Sequence, residues 1–330
     1  MRTAPTVRTN EPACPHAVAG LVTQRLRRCD ECGFLLPAPH RPDGESATGS
    51  CALPVAPGTI LRGRYRLIDL LGRGAHGLTF LARHEFLDHP CVVKMLPYPM
   101  DDASDLAVRR LRNEASAGFL VSSPNVVRVF DCDTYDGTWY LVSEYVEGCD
   151  LSAVTAAGLR MPWRQVVRAA LDATRGLAAI HAAGLVHRDI KPGNLMLGAD
   201  GRLRVADLGV VGFMHRRGDE HDRADAGRVG TPAYAAPEAL AGRSVSAAAD
   251  LYSLGASLFE LLTGEPHRGR SLFRALLDNG TADVEWPARA EACPDWLRDA
   301  VLRLLRPIPG ERLRSAEELT DLIEQHGTSA

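Results

Sequence analysis

The stretch HRDIKPGN, residues 187–194, places several polar groups on one short turn that also contains a proline and a glycine. Asp189 can orient a hydroxyl or accept its proton, Lys191 can reach a negatively charged group, and Asn194 offers a neutral amide oxygen. Asp207 supplies a further carboxylate, and oxygen ligands of this kind are the ones that Mg²⁺ prefers. This set suits phosphoryl transfer, which requires two oxygens to be positioned in line and spreading negative charge to be neutralised.

A glycine-rich stretch, LLGRGAHGLTFLA, carries Gly72, Gly74 and Gly77 in G-x-G-x-x-G spacing. Glycines let the backbone approach phosphates closely. A dinucleotide-binding fold requires a helix after the third glycine, but LTFLAR reads as a continuing strand, and the following strand CVVKML contains Lys94. A lysine within an apolar strand must pair or reach a ligand, and Glu114 is its candidate partner; the alternative is an edge-strand lysine that extends to solvent.

The elements that must position these groups fall into two parts. Residues 58–147 alternate short β-prone runs with turns around one clear helix, DLAVRRLRNEASAGFLV, and residues 148–325 read as long amphipathic helices. We therefore predict an α+β protein whose main domain spans 58–325. Residues 36–57, rich in Pro, Gly, Ser and Ala, are predicted to be a flexible linker, and residues 1–35 a small separate unit.

The composition is that of a soluble globular protein, with 330 residues, 45% hydrophobic and 24% charged, and a formal net charge of −3. This charge gives no broad reason to expect nucleic acid or membrane partners. The start of the chain lacks the pattern of a signal peptide, and no apolar run is long enough to span a bilayer. We expect a cytoplasmic protein.

Taken together with DLG at 207–209 and APE at 236–238, the glycine loop, Lys94 and HRDIKPGN resemble the eukaryotic-like (Hanks-type) Ser/Thr protein kinases of bacteria, over residues 58–325. The resemblance implies a bilobal protein kinase fold, ATP with Mg²⁺ or Mn²⁺ as cofactors, and transfer of the γ-phosphate to Ser or Thr of protein substrates. It places the enzyme in the non-specific serine/threonine protein kinase class. The K-P-x-N form of the turn, with Lys191, resembles the Ser/Thr-directed branch.

The resemblance also implies roles for individual residues. Asp189 is implied as the catalytic base, and Ser143, a small residue, stands at the position that guards the pocket behind the adenine. Thr79, Val92 and Leu208 depart from the residues usual in the family. The implied catalytic residues are Lys94, Glu114, Asp189, Lys191 and Thr231; the implied ATP-binding residues are Leu71, Gly72, Arg73, Gly74, Gly77, Thr79, Val92, Lys94, Ser143, Glu144, Val146 and Met196; and the implied magnesium ligands are Asn194 and Asp207.

Four further residues resemble scaffold positions of the family. Glu238 and Arg312 resemble a buried ion pair, and Asp250 resembles a helix residue that accepts hydrogen bonds from the catalytic turn. His187 is predicted to be a packed scaffold residue.

The segment between Asp207 and Thr231 contains no Ser, Thr or Tyr. Relatives with an arginine at the position of Arg188 often gather that charge around a phosphorylated loop residue, and this segment offers no such residue. We predict a kinase that is not controlled by phosphorylation of this loop. Acidic residues of the loop are candidate permanent anions for Arg188, and the alternative is a solvated charge run paired with nearby arginines. The acids are Asp219, Glu220, Asp222 and Asp225.

The N-terminal unit contains ACPH and RRCDECG. C-x-x-C-G is a zinc-knuckle sequence, because its glycine lets backbone N–H groups approach the thiolates. We predict a structural Zn²⁺ held by Cys14, His16, Cys29 and Cys32, with Cys51 or His40 as substitutes, and a protein partner for this module; a degenerate knuckle or a redox pair is the alternative.

Two other functions remain open at this point. A nucleotide-binding regulatory or scaffold protein of kinase fold would act by conformation and dock partners through the zinc module. A kinase acting on small-molecule hydroxyls would not need the long segment that ends in Thr231 and APE, which suits an extended protein substrate.

Overall fold

The computed structural model describes most of the chain. The described residues are 22–23, 26–28, 35–37, 55–74, 77–96, 104–213, 231–267, 284, 286–287 and 293–327. A strand-rich lobe comes first and a helical lobe follows. The predicted α+β class and the two-lobed architecture are therefore confirmed.

The N-terminal lobe is a six-stranded antiparallel sheet in the order β4-β5-β6-β7-β9-β8, with helix α1 between β7 and β8. Its elements are β4 (Ile60–Leu61), β5 (Tyr65–Gly74), β6 (Gly77–His84), β7 (His89–Met95), α1 (Ser104–Leu120), β8 (Val129–Tyr135) and β9 (Thr138–Glu144).

The two faces of this sheet differ in burial, because side chains alternate along a strand. Val93 is buried in the core of the lobe, whereas its neighbours Val92 and Lys94 are half-buried on the other face. Thr79 lies opposite Lys94 across β6 and β7, and Val92 lies opposite Ser143 across β7 and β9. One face of the sheet thus gathers four of the residues implied to contact ATP.

The C-terminal lobe is built on two long helices. Helix α3 is amphipathic, while α5 is buried nearly all round and so lies at the centre of the lobe. The elements are β10 (Gly148–Asp150), α2 (Ser152–Ala156), α3 (Trp163–Ala182), β11 (Leu185–Val186), β12 (Leu195–Gly198), β13 (Leu203–Val205), β14 (Gly212–Phe213), α4 (Pro237–Leu240), α5 (Ala247–Thr263), α6 (Asp295–Leu304) and α7 (Ala316–Gly327), with 3-10 turns at Pro192–Asn194, Leu208–Val210 and Pro309–Glu311.

The segment between α1 and β8 is fastened to β13 of the C-terminal lobe. Val127 N donates to Val205 O at 2.9 Å, and Val205 N donates to Asn125 O at 2.8 Å. The side-chain amide of Asn125, which is buried, donates to Leu203 O at 2.9 Å. The base of the N-terminal lobe is therefore held directly against a strand that leads to the catalytic region.

Three short strands precede the kinase fold: β1 (Val22–Thr23), β2 (Leu26–Arg28) and β3 (Leu35–Pro37), paired antiparallel. Strand β3 overlaps the first residues of the predicted linker 36–57. At the other end of that linker, Val55 is only 3% exposed and packs in the core of the N-terminal lobe, three residues before the predicted boundary at 58. The zinc ligands predicted for this region, Cys14, His16, Cys29 and Cys32, lie outside the described residues.

Four cysteines lie in the described part of the chain after residue 55, and none of the four is in a disulfide bond. Cys91 and Cys149 are buried, and burial raises the pKa of Cys91 to about 11. Cys91 is therefore an apolar packing residue at neutral pH, whereas Cys132 and Cys293 are partly exposed. No helix in the described ranges is long and apolar enough to cross a bilayer.

Candidate active site

The carboxylate of Asp189 is held on both of its oxygens. Oδ2 accepts from Lys191 Nζ at 2.7 Å and from Asn194 Nδ2 at 3.1 Å. Oδ1 accepts from the backbone N of Thr231 at 2.8 Å and from its Oγ1 at 3.0 Å. Lys191 Nζ also donates to Thr231 Oγ1 at 2.9 Å. Thr231, which lies far along the chain, is thus brought onto the turn as the sequence predicted.

Asp250 on helix α5 holds the backbone of this turn from below. It accepts from the backbone N of His187 and of Arg188, each at 2.8 Å, and contacts His181 Nε2 at 2.8 Å. Burial alone would raise the pKa of Asp250, but the hydrogen bonds and the nearby histidines lower it below its ordinary value. The carboxylate therefore stays charged, and it fixes Arg188 in its left-handed conformation, with φ at 68°.

His187 is fully buried. Its Nδ1 accepts from the backbone N of Asp189 at 3.2 Å, and its Nε2 lies 3.0 Å from the carbonyl oxygen of Ala206. Both ring nitrogens are therefore occupied by backbone groups. This agrees with a scaffold role, as predicted, and leaves Asp189 as the candidate base.

Lys94 lies between two carboxylates. Its Nζ donates to Glu114 Oε2 at 2.8 Å and to Asp207 Oδ1 at 3.1 Å. Burial opposes the charge of Lys94, but the two carboxylates outweigh it and raise its pKa, so the ammonium is permanent at neutral pH. The same ammonium lowers the pKa of Asp207 against the effect of burial, whereas burial raises that of Glu114. The predicted lysine–glutamate pair is therefore formed, and it holds helix α1 against β7.

The oxygens of Asn194 and Asp207 fit a hard divalent cation. The amide nitrogen of Asn194 donates to the carbonyl oxygen and the carboxylate of Asp189, at 2.8 and 3.1 Å, so its amide oxygen is the atom left for a ligand. The Asp207 side chain is 42% exposed and is kept ionised by Lys94. A neutral oxygen and a carboxylate beside each other are the donors that Mg²⁺ or Mn²⁺ takes.

The residues implied to bind ATP lie on four strands of the N-terminal lobe, just after the last of these strands, and on β12 of the C-terminal lobe. Gly77 has φ at 116°, and a Cβ there would collide with the carbonyl oxygen of Met95, so this glycine is required by packing between β6 and β7. Gly72 has open space around it. By element, β5 carries Leu71, Gly72, Arg73 and Gly74; β6 carries Gly77 and Thr79; β7 carries Val92 and Lys94; β9 carries Ser143 and Glu144; Val146 follows β9; and Met196 lies on β12.

Sequence reasoning missed a second role for Glu144. Its side chain pairs with Arg204 on β13, Nε to Oε1 at 3.2 Å, while Arg204 also pairs with Asp200 at 2.8 Å. The segment joining the lobes is thus fastened to the C-terminal lobe by charge. The pair is too distant in sequence, and its residue types too common, for spacing to have signalled it. His181 could have been found, since it is the one histidine of the amphipathic helix α3.

We call the segment from Asp207 to the APE motif at 236–238 the activation segment, and its start packs on the catalytic turn. Strand β14 pairs with β11 through Leu185 opposite Phe213 and Val186 opposite Gly212. The Arg188 guanidinium lies so close to Gly212 that a Cβ at this position would overlap it. The acidic residues predicted as anions for Arg188, from Asp219 to Asp225, lie outside the described residues.

The far end of that segment is anchored by a buried ion pair. Arg312 Nη1 and Nη2 donate to the two carboxylate oxygens of Glu238, each at 2.7 Å. The same guanidinium donates to the carbonyl oxygens of Arg306, Ala248 and Pro307 at 2.8 to 2.9 Å. The predicted pair is confirmed.

A strand-rich lobe and a helical lobe, with a paired lysine on one and a clamped aspartate on the other, define a bilobal phosphotransferase. A family model, the protein kinase domain, matches residues 65–323. The chain belongs to the protein kinase family.

Similar curated proteins are bacterial kinases. The chain is 38% identical over 270 residues to Serine/threonine-protein kinase PksC of Streptomyces coelicolor, covering 78% of this chain and 48% of the relative. It is 34% identical over 274 residues to Serine/threonine-protein kinase PknB of Mycobacterium leprae, covering 81% and 43%, and 29% identical over 265 residues to Serine/threonine-protein kinase PrkC of Bacillus subtilis, covering 79% and 40%. The match spans less than half the length of these relatives.

Proposed function

We propose that this protein transfers the γ-phosphate of ATP to Ser and Thr hydroxyls of protein substrates. The observation that carries the proposal is the clamp on Asp189, whose oxygens are held by Lys191, Asn194 and Thr231. A carboxylate fixed in this way can orient an acceptor hydroxyl and receive its proton. Lys191 keeps a positive charge beside it, where the transferring group gains negative charge.

Each part of the site has a task in this reaction. Lys94, held by Glu114, would position the nucleotide phosphates under the glycine loop. Asn194 and Asp207 would hold Mg²⁺ or Mn²⁺, which supplies charge neutralisation on the phosphates when bound. Thr231 fixes the distance between the end of the activation segment and Asp189.

The test is transfer of labelled phosphate from Mg-ATP to the protein and to a generic basic protein. Asp189→Asn should abolish transfer, because the amide cannot receive the proton. Asp88→Asn is the matched control. Asp88 is an exposed aspartate in the turn between β6 and β7, distant from the catalytic turn, and this variant should transfer phosphate normally. Retained transfer by Asp189→Asn would contradict the role of Asp189. No transfer by the wild type despite tight ATP binding would favour a scaffold protein.

We further propose that activity does not depend on phosphorylation of the activation loop. Two observations support this. The pairs Lys94–Glu114 and Asp189–Thr231 are formed, and no Ser, Thr or Tyr lies between Asp207 and Thr231. Phosphatase treatment should therefore leave the specific activity unchanged. A large loss after treatment that is restored on incubation with ATP and maps to a phosphate on Thr231 would overturn the proposal.

The N-terminal segment is proposed to carry a structural zinc ion and to dock a protein partner. Its support is the sequence CDECGF, which connects two paired strands, β2 and β3, as a zinc knuckle does. The expected stoichiometry is one Zn²⁺ per chain, bound by Cys14, His16, Cys29 and Cys32. The described residues contain no cluster of three or more His, Cys, Asp or Glu that could hold a metal.

Metal analysis of the purified chain tests this. Cys29→Ser with Cys32→Ser should remove the zinc, and Cys132→Ser, a thiol of the kinase fold, should keep it. A wild type without zinc, or a knuckle variant with full zinc, would refute the site. The cytoplasmic location remains a proposal from the sequence.

A further inference from the structure

The turn between β6 and β7 presents two apolar side chains to solvent. Phe86 is 81% exposed and Leu87 is 72% exposed, which makes them the most exposed large hydrophobic side chains in the described part of the chain. They are adjacent and lie at the tip of one hairpin, and we call them the hairpin tip. Clustered exposed apolar residues mark an interaction surface more often than isolated ones do.

The hairpin tip has a fixed shape. Nδ1 of His84 accepts from the backbone N of both Phe86 and Leu87, each at 3.3 Å. Arg83 Nη1 donates to the carboxylate and the carbonyl oxygen of Asp88, at 2.8 and 3.1 Å. A surface that is already ordered loses little conformational entropy when a partner binds, so the tip is preorganised for docking.

The N-terminal segment enters the kinase fold close to this tip. Val55 is buried in the core cluster that also contains Leu67 and Ala82, and Gly58 N donates to Leu67 O at 2.8 Å. Leu67 lies opposite Ala82 on β6, four residues before Phe86. At about 3.3 Å per residue, the entry point and the tip are separated by roughly 13 Å along the strand.

This short separation favours the N-terminal segment as the partner that binds the hairpin tip. Residues 38–54, between β3 and the buried Val55, number 17, and at about 3.3 Å per residue a stretch of that length reaches at most roughly 56 Å. A tethered module within that reach has an effective concentration on the order of millimolar. A second copy of the chain at micromolar concentration would compete poorly.

The N-terminal strands also need a surface against which to bury their apolar side chains. Together β1, β2 and β3 contain eight residues, and a sheet of this size cannot bury a core of its own. Their sequences, VT, LRR and LLP, include several apolar residues.

We propose that residues 1–54 dock in cis on the hairpin tip formed by Phe86 and Leu87. The hairpin tip follows the pair His84 and His89, at the opposite end of β6 and β7 from the glycine loop, so this docking places the N-terminal module at the outer end of the sheet. The inference depends neither on zinc binding nor on phosphoryl transfer.

Hydrogen–deuterium exchange of the full chain tests the contact. The variant Phe86→Ser with Leu87→Ser should speed exchange in peptides covering residues 22–37 at least tenfold. The matched control is Phe119→Ser with Leu120→Ser, a second exposed apolar pair, on α1, which should leave these peptides unchanged. Helix α5 should exchange as in the wild type in both variants, which shows that the fold is intact. Unchanged exchange at 22–37 in the tip variant, or equal acceleration in both variants, would overturn the proposal.

Concentration separates the cis contact from a contact between two copies. Docking in cis predicts that protection of the hairpin peptides, residues 84–89, is the same after a tenfold dilution, and that light scattering gives the same mass for the wild type and the tip variant. Protection lost on dilution, with a dimer mass that the tip variant halves, would assign the tip to a second copy and overturn the cis contact.

Discussion

The buried pair of Arg312 and Glu238 allows a quantitative test of how the far end of the activation segment is anchored. The Arg312 side chain is fully buried and that of Glu238 is 8% exposed. Removing one partner of such a pair leaves the other charge uncompensated, which costs about 3–5 kcal/mol. Glu238→Gln puts an amide N–H against a guanidinium N–H, so we expect about 3 kcal/mol. Arg312→Met strands a carboxylate and three carbonyl oxygens, so we expect about 5 kcal/mol.

The double variant separates the pair from its surroundings. With the carboxylate replaced and the guanidinium absent, no buried charge remains. The two single costs should therefore not add: the double variant should cost no more than Arg312→Met alone, which is about 3 kcal/mol less than the sum of the single costs. Because a domain of this kind is stable by about 5–15 kcal/mol in total, Arg312→Met alone approaches the limit of folding.

Urea denaturation of the full chain, followed by circular dichroism, measures these differences. The matched control is Arg175→Met, which removes the exposed pair with Glu324 at 2.8 Å and should cost less than about 1 kcal/mol. A cost for Glu238→Gln as small as that of the control would refute the reasoning. Additive costs in the double variant would show that the two residues act separately.

Three further predictions concern the glycine loop, the pocket behind the adenine and the brace of the catalytic turn. Gly77→Ala should lower the free energy of unfolding by about 2 kcal/mol, since its Cβ meets a backbone carbonyl and its φ is positive; Gly72→Ala, with open space, should cost less than about 1 kcal/mol, and equal losses in thermal denaturation would contradict this. Ser143→Met should weaken binding of bulky adenine-site inhibitors at least tenfold, and unchanged inhibition constants would mean that the position is misassigned. The lowered pKa of Asp250 stabilises the fold above the ordinary carboxyl range and ceases to do so as the pH falls through the lowered value. The stability gap between wild type and Asp250→Asn in urea should therefore narrow below about pH 4, and a gap that is constant down to pH 3 would argue against it.

The sequence was sufficient for those parts of the site that depend on short motifs. Lys94, Asp189, Asn194 and Asp207 could be found because each lies in a short motif that resembles one of the protein kinases and has a chemistry that few residue types can perform. The lobes could be predicted because alternation in the strands and the helical period in the C-terminal part are local properties. The partner of Lys94 was within reach as well, as the glutamate on the next helix.

Contacts between distant parts of the chain could not be read in this way. Asn125 reaches Leu203, and Glu144 reaches Arg204, through the packing of the two lobes. Nothing in the spacing of these residues distinguishes them from ordinary surface polar groups. The burial of Val55 was missed for the same reason, since an isolated valine in a proline-rich stretch carries no periodic signal.

The anchoring of the activation segment at both ends explains how the site is assembled without a loop phosphate. At its start, β14 is paired with β11, and Gly212 lies against Arg188. At its end, Thr231 holds Asp189, and Glu238 is fixed by Arg312. A loop phosphate orders such a segment by adding a charge that an arginine can pair with. Where both ends are already fixed by strand pairing and a buried ion pair, that added charge is not needed to bring Thr231 to Asp189. We propose that the anchors take the place of the phosphate, which leaves control of the kinase to surfaces outside the loop.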